Sequence, residues 1–237
     1  MFELKHLDEF RQSLADYQMS DEAKRLVESV PYVGLTAITS SGRNTIIREL
    51  QKTGKFYFIV SDTTRPPRAN NGVMEQNGVE YWFRTEEEVL ADIQDGRYIE
   101  AAIIHNQQVS GQSVRELEIA RDKKLIAINE FEVQGVDNIL AVSQNLIPIF
   151  VLPPSYEEWI RRWTKRGEIS DQERQRRIAS ARMELTMALK KGYYHFLVND
   201  DLDKAVSGIQ KIIAGQIDPK HEETGKQVAR EILQKIS

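Results

Sequence analysis

Two arginines three residues apart, Arg65 and Arg68, stand in the segment Ser61-Asp-Thr-Thr-Arg-Pro-Pro-Arg. The prolines hold the backbone extended between them, so two guanidinium forks can face one anion. A solvated loop with two surface arginines fits the same residues equally well. A second stretch, Ala37-Ile-Thr-Ser-Ser-Gly-Arg-Asn-Thr45, lies where an apolar run meets an amphipathic one. Its small residues Ser40, Ser41 and Gly42 allow backbone N–H groups to curl around an anion at a helix N-terminus. The phosphate-loop pattern G-x-x-x-x-G-K-[ST] also asks for a compact cation at the β/γ-phosphates and a hydroxyl for Mg²⁺. Here Arg43 occupies the lysine position, Asn44 replaces the hydroxyl, and Thr45 follows. Taken alone, this stretch is also compatible with an ordinary strand–turn–helix joint.

The elements that must hold these residues follow from hydrophobic period. From about Tyr32 to Gly215, apolar runs alternate with amphipathic segments, the βαβα pattern of a mostly parallel sheet covered by helices. Strands are expected at Gly34–Thr39, Phe56–Ser61, Leu125–Asn129, Ile147–Leu152 and Phe196–Val198. Helices are expected at Arg43–Gln51, Glu86–Gln94, Ser113–Arg121, Ser155–Lys165, Asp171–Lys191 and Asp201–Ala214. Thr85 is the expected N-cap of the second and Gly96 its stop, while Ser113 and Glu116 read as a capping box. Residues 1–30 carry two short amphipathic patterns, and 219–237 end in a helix with Val228, Ile232, Leu233 and Ile236 on one side. Both are expected to pack against the core.

Composition narrows the classes of function. The chain has 237 residues, 41% of them hydrophobic, with a net charge of −4 and no cysteine. Disulfides and thiolate chemistry are thereby excluded, and a cytoplasmic setting is the simplest reading. The acidic balance argues against sequence-independent nucleic-acid binding. No apolar run approaches the roughly 18 residues of a membrane span, and the charged N-terminus lacks a signal-peptide core. The four histidines (His6, His105, His195 and His221) show no metal-ligand spacing. No oligomeric state can be read from these features.

The order of motifs resembles the guanylate kinase family from about Gly34 to Gly215. The matching pieces are Ser61–Arg68, Asn77–Phe83, Tyr98–Glu100, Val133–Gly135, Val151–Ser155, Lys165–Gly167, Arg176–Ile178 and Val198–Ala205. The resemblance implies an α/β fold: a P-loop-type core with a mostly parallel five-stranded sheet over residues 31–216. It further implies a small acceptor-binding subdomain at 62–112 and a helical lid at 155–190. A helical extension (1–30) and a C-terminal helix (217–237) flank this core.

By the same resemblance, Arg65, Arg68 and Tyr81 would grip the phosphate of a nucleoside monophosphate, with Ser61 beside them. Glu100 would accept from the guanine N1–H and 2-amino group, a donor pair that adenine lacks. Glu132 takes a position near the base, and Glu130 one near the metal and phosphates, each where the family has the shorter aspartate. Arg162, Arg166 and Arg177 match arginines around the transferring phosphoryl group, with Arg43 in the loop. Ser40, Ser41, Gly42, Asn44 and Thr45 would hold ATP phosphates, and Asn199 would lie by the adenine. Mg²⁺ is the implied cofactor, ATP the donor, and GMP or dGMP the acceptor.

Three departures bear on that reading. Arg43 keeps the charge of the family lysine but is bulkier and forked. Ser110 and Gln112 stand where the family has a tyrosine and a hydroxyl that reads guanine O6; Gln112 can still donate there. The stretch between Arg68 and Tyr81 is about four residues longer than the family's. Two functions are therefore weighed: an ATP-dependent GMP kinase of purine metabolism, and a catalytically impaired module that binds GMP or a phosphorylated protein partner. The lid arginines favour the kinase, since a pure acceptor-site binder would not need them.

Overall fold

The computed structural model describes residues 4–70, 72–141, 143–165 and 170–237, so the expectations at Arg166 and Gly167 lie outside the described residues. The chain opens with helices α1 (Leu7–Ala15) and α2 (Asp21–Ser29), then strand β1 (Tyr32–Ala37), helix α3 (Arg43–Lys52) and strand β2 (Phe56–Phe58). Short strands β3 (Asp62–Thr63), β4 (Ala69–Asn70), β5 (Val73–Met74) and β6 (Trp82–Phe83) precede α4 (Glu86–Gln94). Then come β7 (Tyr98–Ile104), β8 (Gln108–Ser113), α5 (Val114–Asp122), β9 (Ile126–Glu130) and α6 (Val133–Leu140). Strand β10 (Leu146–Leu152), helices α7 (Tyr156–Thr164) and α8 (Asp171–Lys190), β11 (His195–Val198), α9 (Leu202–Ile213) and α10 (Pro219–Lys235) complete the chain.

The main sheet has the order β11-β10-β1-β9-β2, and β1 and β11 both pair with β10 in parallel. Its strands are apolar on both faces, as a sheet covered by helices on each side requires: Val33, Leu35, Ile149, Phe150 and Val151 are fully buried. A four-stranded sheet, β6-β3-β8-β7, and the hairpin β4-β5 make up the rest. Local sequence sets most helix ends. Thr85 and Glu88 form a reciprocal capping box at α4, and Gly96 at φ 66° stops it. Ser155, Ser170 and Asp201 cap α7, α8 and α9 through the N–H three residues on, each worth about 1 kcal/mol.

The chain forms two compact units. The first comprises Met1–Pro31, Tyr57–Ala127 and Asn138–Asn145. Within it, Leu4 and Phe10 join Val89, Leu90, Ile93, Tyr98 and Val109 in one apolar cluster, which packs α1 on α4 and β7. Two carboxylates organise its polar side. Asp62 accepts from the Tyr98 hydroxyl (2.7 Å) and from the Arg115 (2.8 Å) and Arg84 (3.3 Å) guanidinium groups. Glu116, fully buried, accepts from the Val60 N–H, the Tyr57 hydroxyl and the Trp82 indole. The capping box expected at Ser113 is therefore only half present. Ser113 receives the Arg115 N–H, while Glu116 spends its lone pairs on these three distant donors.

The second unit comprises Tyr32–Phe56, Ile128–Asp137 and Leu146–Ser237. Helix α10 lies on β11 and α8, and Gly225 permits the close approach: a Cβ there would fall 2.6 Å from the Phe196 carbonyl oxygen. Trp159 and Trp163 stack at 5.3 Å between ring centroids, and the Trp159 indole donates to the Thr39 carbonyl. These two tryptophans are buried packing residues. The strand expected to run to Ser61 ends at Phe58, and α6 was not foreseen. Among the described residues no helix is long and apolar enough to cross a membrane.

Candidate functional site

In the second unit, the turn from β1 into α3 passes through Ser40 at φ 64° and Gly42 at φ 95°. At Gly42 a side chain is excluded twice, by the left-handed backbone and by the Asn199 Nδ2, which would lie 2.3 Å from an added Cβ. That amide donates to the Ser41 carbonyl at 2.8 Å. Arg162 braces the same turn, donating through Nη1 to the Ser41 carbonyl (3.3 Å) and through Nη2 to the Asn199 carbonyl (2.9 Å). Its Nε donates to Glu158, whose carboxyl is held down to about 2 by hydrogen bonds from Arg161 and Arg162. Carbonyl groups of the turn are thus tied back by side chains, while the first N–H groups of α3 have no intrahelical partner. Positive potential at that helix end favours an anion.

Two side-chain atoms here are buried without a hydrogen-bond partner among the described residues: the Ser40 hydroxyl and the Arg43 Nε. Arg43 leans towards the end of β9, with Nη2 2.7 Å from Glu130 Oε2 and Nη1 3.5 Å from the Phe131 carbonyl. Asn44 and Thr45 sit exposed on the first turn of α3. Glu184 on α8 is the unforeseen member of this cluster. Burial, reinforced by the charge of Glu132, pushes its carboxyl up to about 7 against the opposing pull of Arg43. Its Oε2 also lacks a partner among the described residues. Arg177 pairs with Glu173 at 2.7 Å and lies over the Trp163 ring.

In the first unit, Arg65 is nearly buried and faces Tyr81 and Phe83, 4.9 and 5.6 Å from their ring centres. Its fork is filled. Glu75 accepts from both Nη1 (2.6 Å) and Nη2 (2.9 Å), and also from the Arg68 backbone N–H (2.8 Å). The hairpin β4-β5 delivers that carboxylate, since Ala69 pairs with Met74 and the Glu75 N–H returns to the Arg68 carbonyl. These bonds hold the Glu75 carboxyl down to about 2. The Arg68 side chain itself is exposed, and Ser61 engages Trp82 through its carbonyl.

Further along the four-stranded sheet, Glu100 on β7 faces Gln112 on β8 in register, and the Gln112 amide donates to Glu100 Oε1 at 3.0 Å. Burial raises the Glu100 carboxyl. Ser110 donates to Thr63 on the adjoining strand. Arg65, Tyr81, Glu100 and Gln112, the residues expected to bind the acceptor, therefore share one unit, whereas Ser40–Thr45, Glu130, Glu132, Arg162, Arg177 and Asn199 share the other. Glu75 and Glu184 are the residues that sequence reading missed. Glu75 carried one signal, as one of two acidic residues, with Glu80, in the lengthened stretch between Arg68 and Tyr81, while Glu184 is indistinguishable in sequence from its charged neighbours on α8.

Comparison with known proteins gives a consistent result. The family model described as guanylate kinase matches residues 29–216. A protein named guanylate kinase 1 from rice (Oryza sativa subsp. japonica) is 36% identical over 186 residues, which are 77% of this chain and 47% of the rice protein. The guanylate kinase of Corynebacterium diphtheriae is 33% identical over 78% of this chain and 94% of its own length. This chain thus spans about half of the plant relative and nearly all of the bacterial one. Among solved structures, guanylate kinase from Anaplasma phagocytophilum superposes with a TM-score of 0.55 at 24% identity, covering 87% of this chain and 94% of that one. This last likeness concerns the fold.

Proposed function

The chain belongs to the guanylate kinase family, and from that premise we propose that it transfers the terminal phosphoryl group of ATP to GMP or dGMP. An oxygen of the acceptor phosphate attacks the γ-phosphorus, the bond to the β–γ bridging oxygen breaks, and ADP leaves with the electron pair. Positioning and electrostatic stabilisation supply most of the rate in such transfers, and no covalent intermediate is required.

The observation that carries the donor side is the pair of buried atoms without partners among the described residues, the Ser40 hydroxyl and the Arg43 Nε, at the N-terminus of α3. Buried polar atoms are normally satisfied, and phosphate oxygens would satisfy both. The glycine at residue 42 and the braces from Asn199 and Arg162 keep that turn open for them. Arg43 would meet the β/γ-phosphates as a fork half-committed to Glu130, in place of a free ammonium.

Mg²⁺ enters with ATP and would neutralise charge on the donor phosphates. The side chains that fit it are sparse: Thr45 and Asn44 offer neutral oxygens at the helix start, and Glu130 would reach it through water. Such a set suits an ion held mainly by phosphate and solvent. On the acceptor side, Arg65, Arg68 and Tyr81 would hold the phosphate, and Glu100 would read the guanine edge with Gln112 next to it. Arg166 and Arg177 would stabilise the charge on the phosphoryl group. Arg162 serves as the brace of the donor turn.

ADP release by the purified chain with ATP, Mg²⁺ and GMP tests this, alongside Arg43→Lys. GMP-dependent turnover by the parent is expected, with the lysine variant faster by about tenfold or more. Absence of GMP-dependent ADP release from both proteins would overturn the kinase reading.

A further inference from the structure

Strand β7 is the outer edge of its four-stranded sheet, and an edge strand exposes unpaired N–H and C=O groups. Here a side chain pairs those of Tyr98, at the start of the strand. The Tyr17 hydroxyl accepts from the Tyr98 N–H at 2.8 Å and donates to the Tyr98 carbonyl at 2.5 Å. Three residues on, the Ser20 N–H donates to the Gly96 carbonyl at 3.0 Å. The contact is close: a Cβ at Gly96 would lie 2.5 Å from the Ser20 nitrogen and 2.9 Å from the Gln18 oxygen. The segment between α1 and α2 is therefore stapled along the start of the strand that carries Glu100.

Between this segment and β7 lies a cavity of about 590 Å³, lined by Glu100 together with Tyr17, Gln18, Met19 and Lys24. Its size falls within the range of small-ligand sites, roughly 300–1,000 Å³. The charged residues on its wall are Glu100 and Lys24, one accepting and one donating, set among apolar neighbours such as Leu14 and Ile99. A guanine edge needs that combination, because N1–H and the 2-amino group donate whereas O6 and N7 accept. Gln112, the residue expected to reach O6, is engaged by Glu100. Lys24 is about 39% exposed, and its pairing with Asp21 at 3.6 Å is a weak surface contact. The family match begins only at residue 29, so Tyr17, Gln18, Met19 and Lys24 lie outside it.

We propose that the N-terminal segment completes the acceptor-base site, with Tyr17 positioning the Glu100 strand and Lys24 and Gln18 donating to the acceptor atoms of the purine. This rests on the reading of Glu100 as the residue that takes the guanine donor edge. A base that presents acceptors at O6 and N7 is selected by the Lys24 side, and one that presents the 2-amino donor by the Glu100 side. The two contributions are therefore separable with nucleotides.

The test is calorimetric titration of the full chain with GMP and with IMP, which keeps O6 and N7 but lacks the 2-amino group. Lys24→Met is expected to weaken both nucleotides by about tenfold, and Gln18→Ala by less. Glu100→Gln is expected to weaken GMP more than IMP. Tyr17→Phe is expected to raise KM for GMP with kcat little changed and KM for ATP untouched, the mark of a positioning residue. Parent-like GMP affinity in Lys24→Met and Gln18→Ala, with binding lost in Glu100→Gln, would overturn the inference and leave the kinase reading standing. Parent-like affinity in Glu100→Gln as well would remove the premise. Lys24 and Gln18 are surface side chains, so loss of folding does not confound their variants.

Discussion

The start of α3 and the turn before it keep two buried polar atoms without partners among the described residues, whereas Arg65 in the other unit has both arms of its fork filled by Glu75. In the function proposed above each would meet an oxyanion, and they differ in what must happen before one binds. At the turn, phosphate oxygens would supply hydrogen bonds that no described residue supplies, and only the Arg43–Glu130 pairing would be exchanged. At Arg65 a phosphate competes with a carboxylate that already makes three hydrogen bonds. Only the difference between the two anions appears as affinity. Buried donors with bonds still to make would thus favour tight holding, and a filled fork a ligand that is released readily and recognised partly elsewhere.

The strongest test of this contrast is Arg65→Ala. Removing one member of a nearly buried charge pair should lower kcat/KM for GMP by about 10²–10³-fold, while KM for ATP stays within about twofold. A drop below tenfold in steady-state assays would show that the acceptor phosphate is held elsewhere. Next in size is Gly42→Ala, which places a Cβ 2.3 Å from Asn199 Nδ2 on a backbone at φ 95°. We expect a loss of about 1–3 kcal/mol in stability and of ATP affinity by roughly tenfold or more, with GMP affinity unchanged by calorimetry. ATP binding at parental strength would mean that the turn does not shape the donor site.

Glu75→Gln sharpens the comparison from the other side. Freed from its carboxylate, Arg65 should leave the unliganded variant melting lower than the parent. The rise in melting temperature with saturating GMP should then be larger than in the parent, because phosphate now supplies the missing charge. A smaller rise would recast Glu75 as a support that shapes Arg65 for its ligand.

The smallest effect concerns pH. Burial raises the Glu184 carboxyl to about 7 from 4.5, so the folded state binds its proton more tightly than the unfolded state does. Its contribution is greatest below about 4.5 and declines as pH rises to about 7. Glu75 has the opposite sign: its carboxyl is lowered to about 2, and its contribution is lost as pH falls from about 4.5 towards 2. Denaturant midpoints measured across pH 4 to 8 should therefore decline less with rising pH in Glu184→Gln than in the parent. Parallel curves would contradict the buried state of Glu184.

Much of this could be read along the chain. The start and stop of α4 follow from Thr85 and Gly96, because caps and left-handed stops are decided within a few residues. The apolar face of α3, at Ile46, Ile47 and Leu50, follows from the helical period, and the five strands of the main sheet from their continuous apolar runs. Arg65, Arg68 and the Ser40–Thr45 turn stood out because anion binding draws on few residue types at short spacing. Glu116 shows where that reading ends. Its spacing from Ser113 promised a capping box, but three donors brought by β2, the chain beyond it and β6 outcompeted the N-cap backbone.

Sequence by itself determined the class of fold and most helix boundaries, since these rest on period, caps and backbone preferences acting over one or two turns. Tertiary structure alone decided which charges meet. Glu75 reaches Arg65 through a hairpin whose register no residue type announces. Glu184 comes under the influence of Arg43 from 141 positions along the chain. Tyr17 closes the edge of β7 from 81 residues away. A carboxylate carries no mark in sequence of whether it will be solvated, paired or buried. Its state is set by the dielectric and donors that distant segments bring to it.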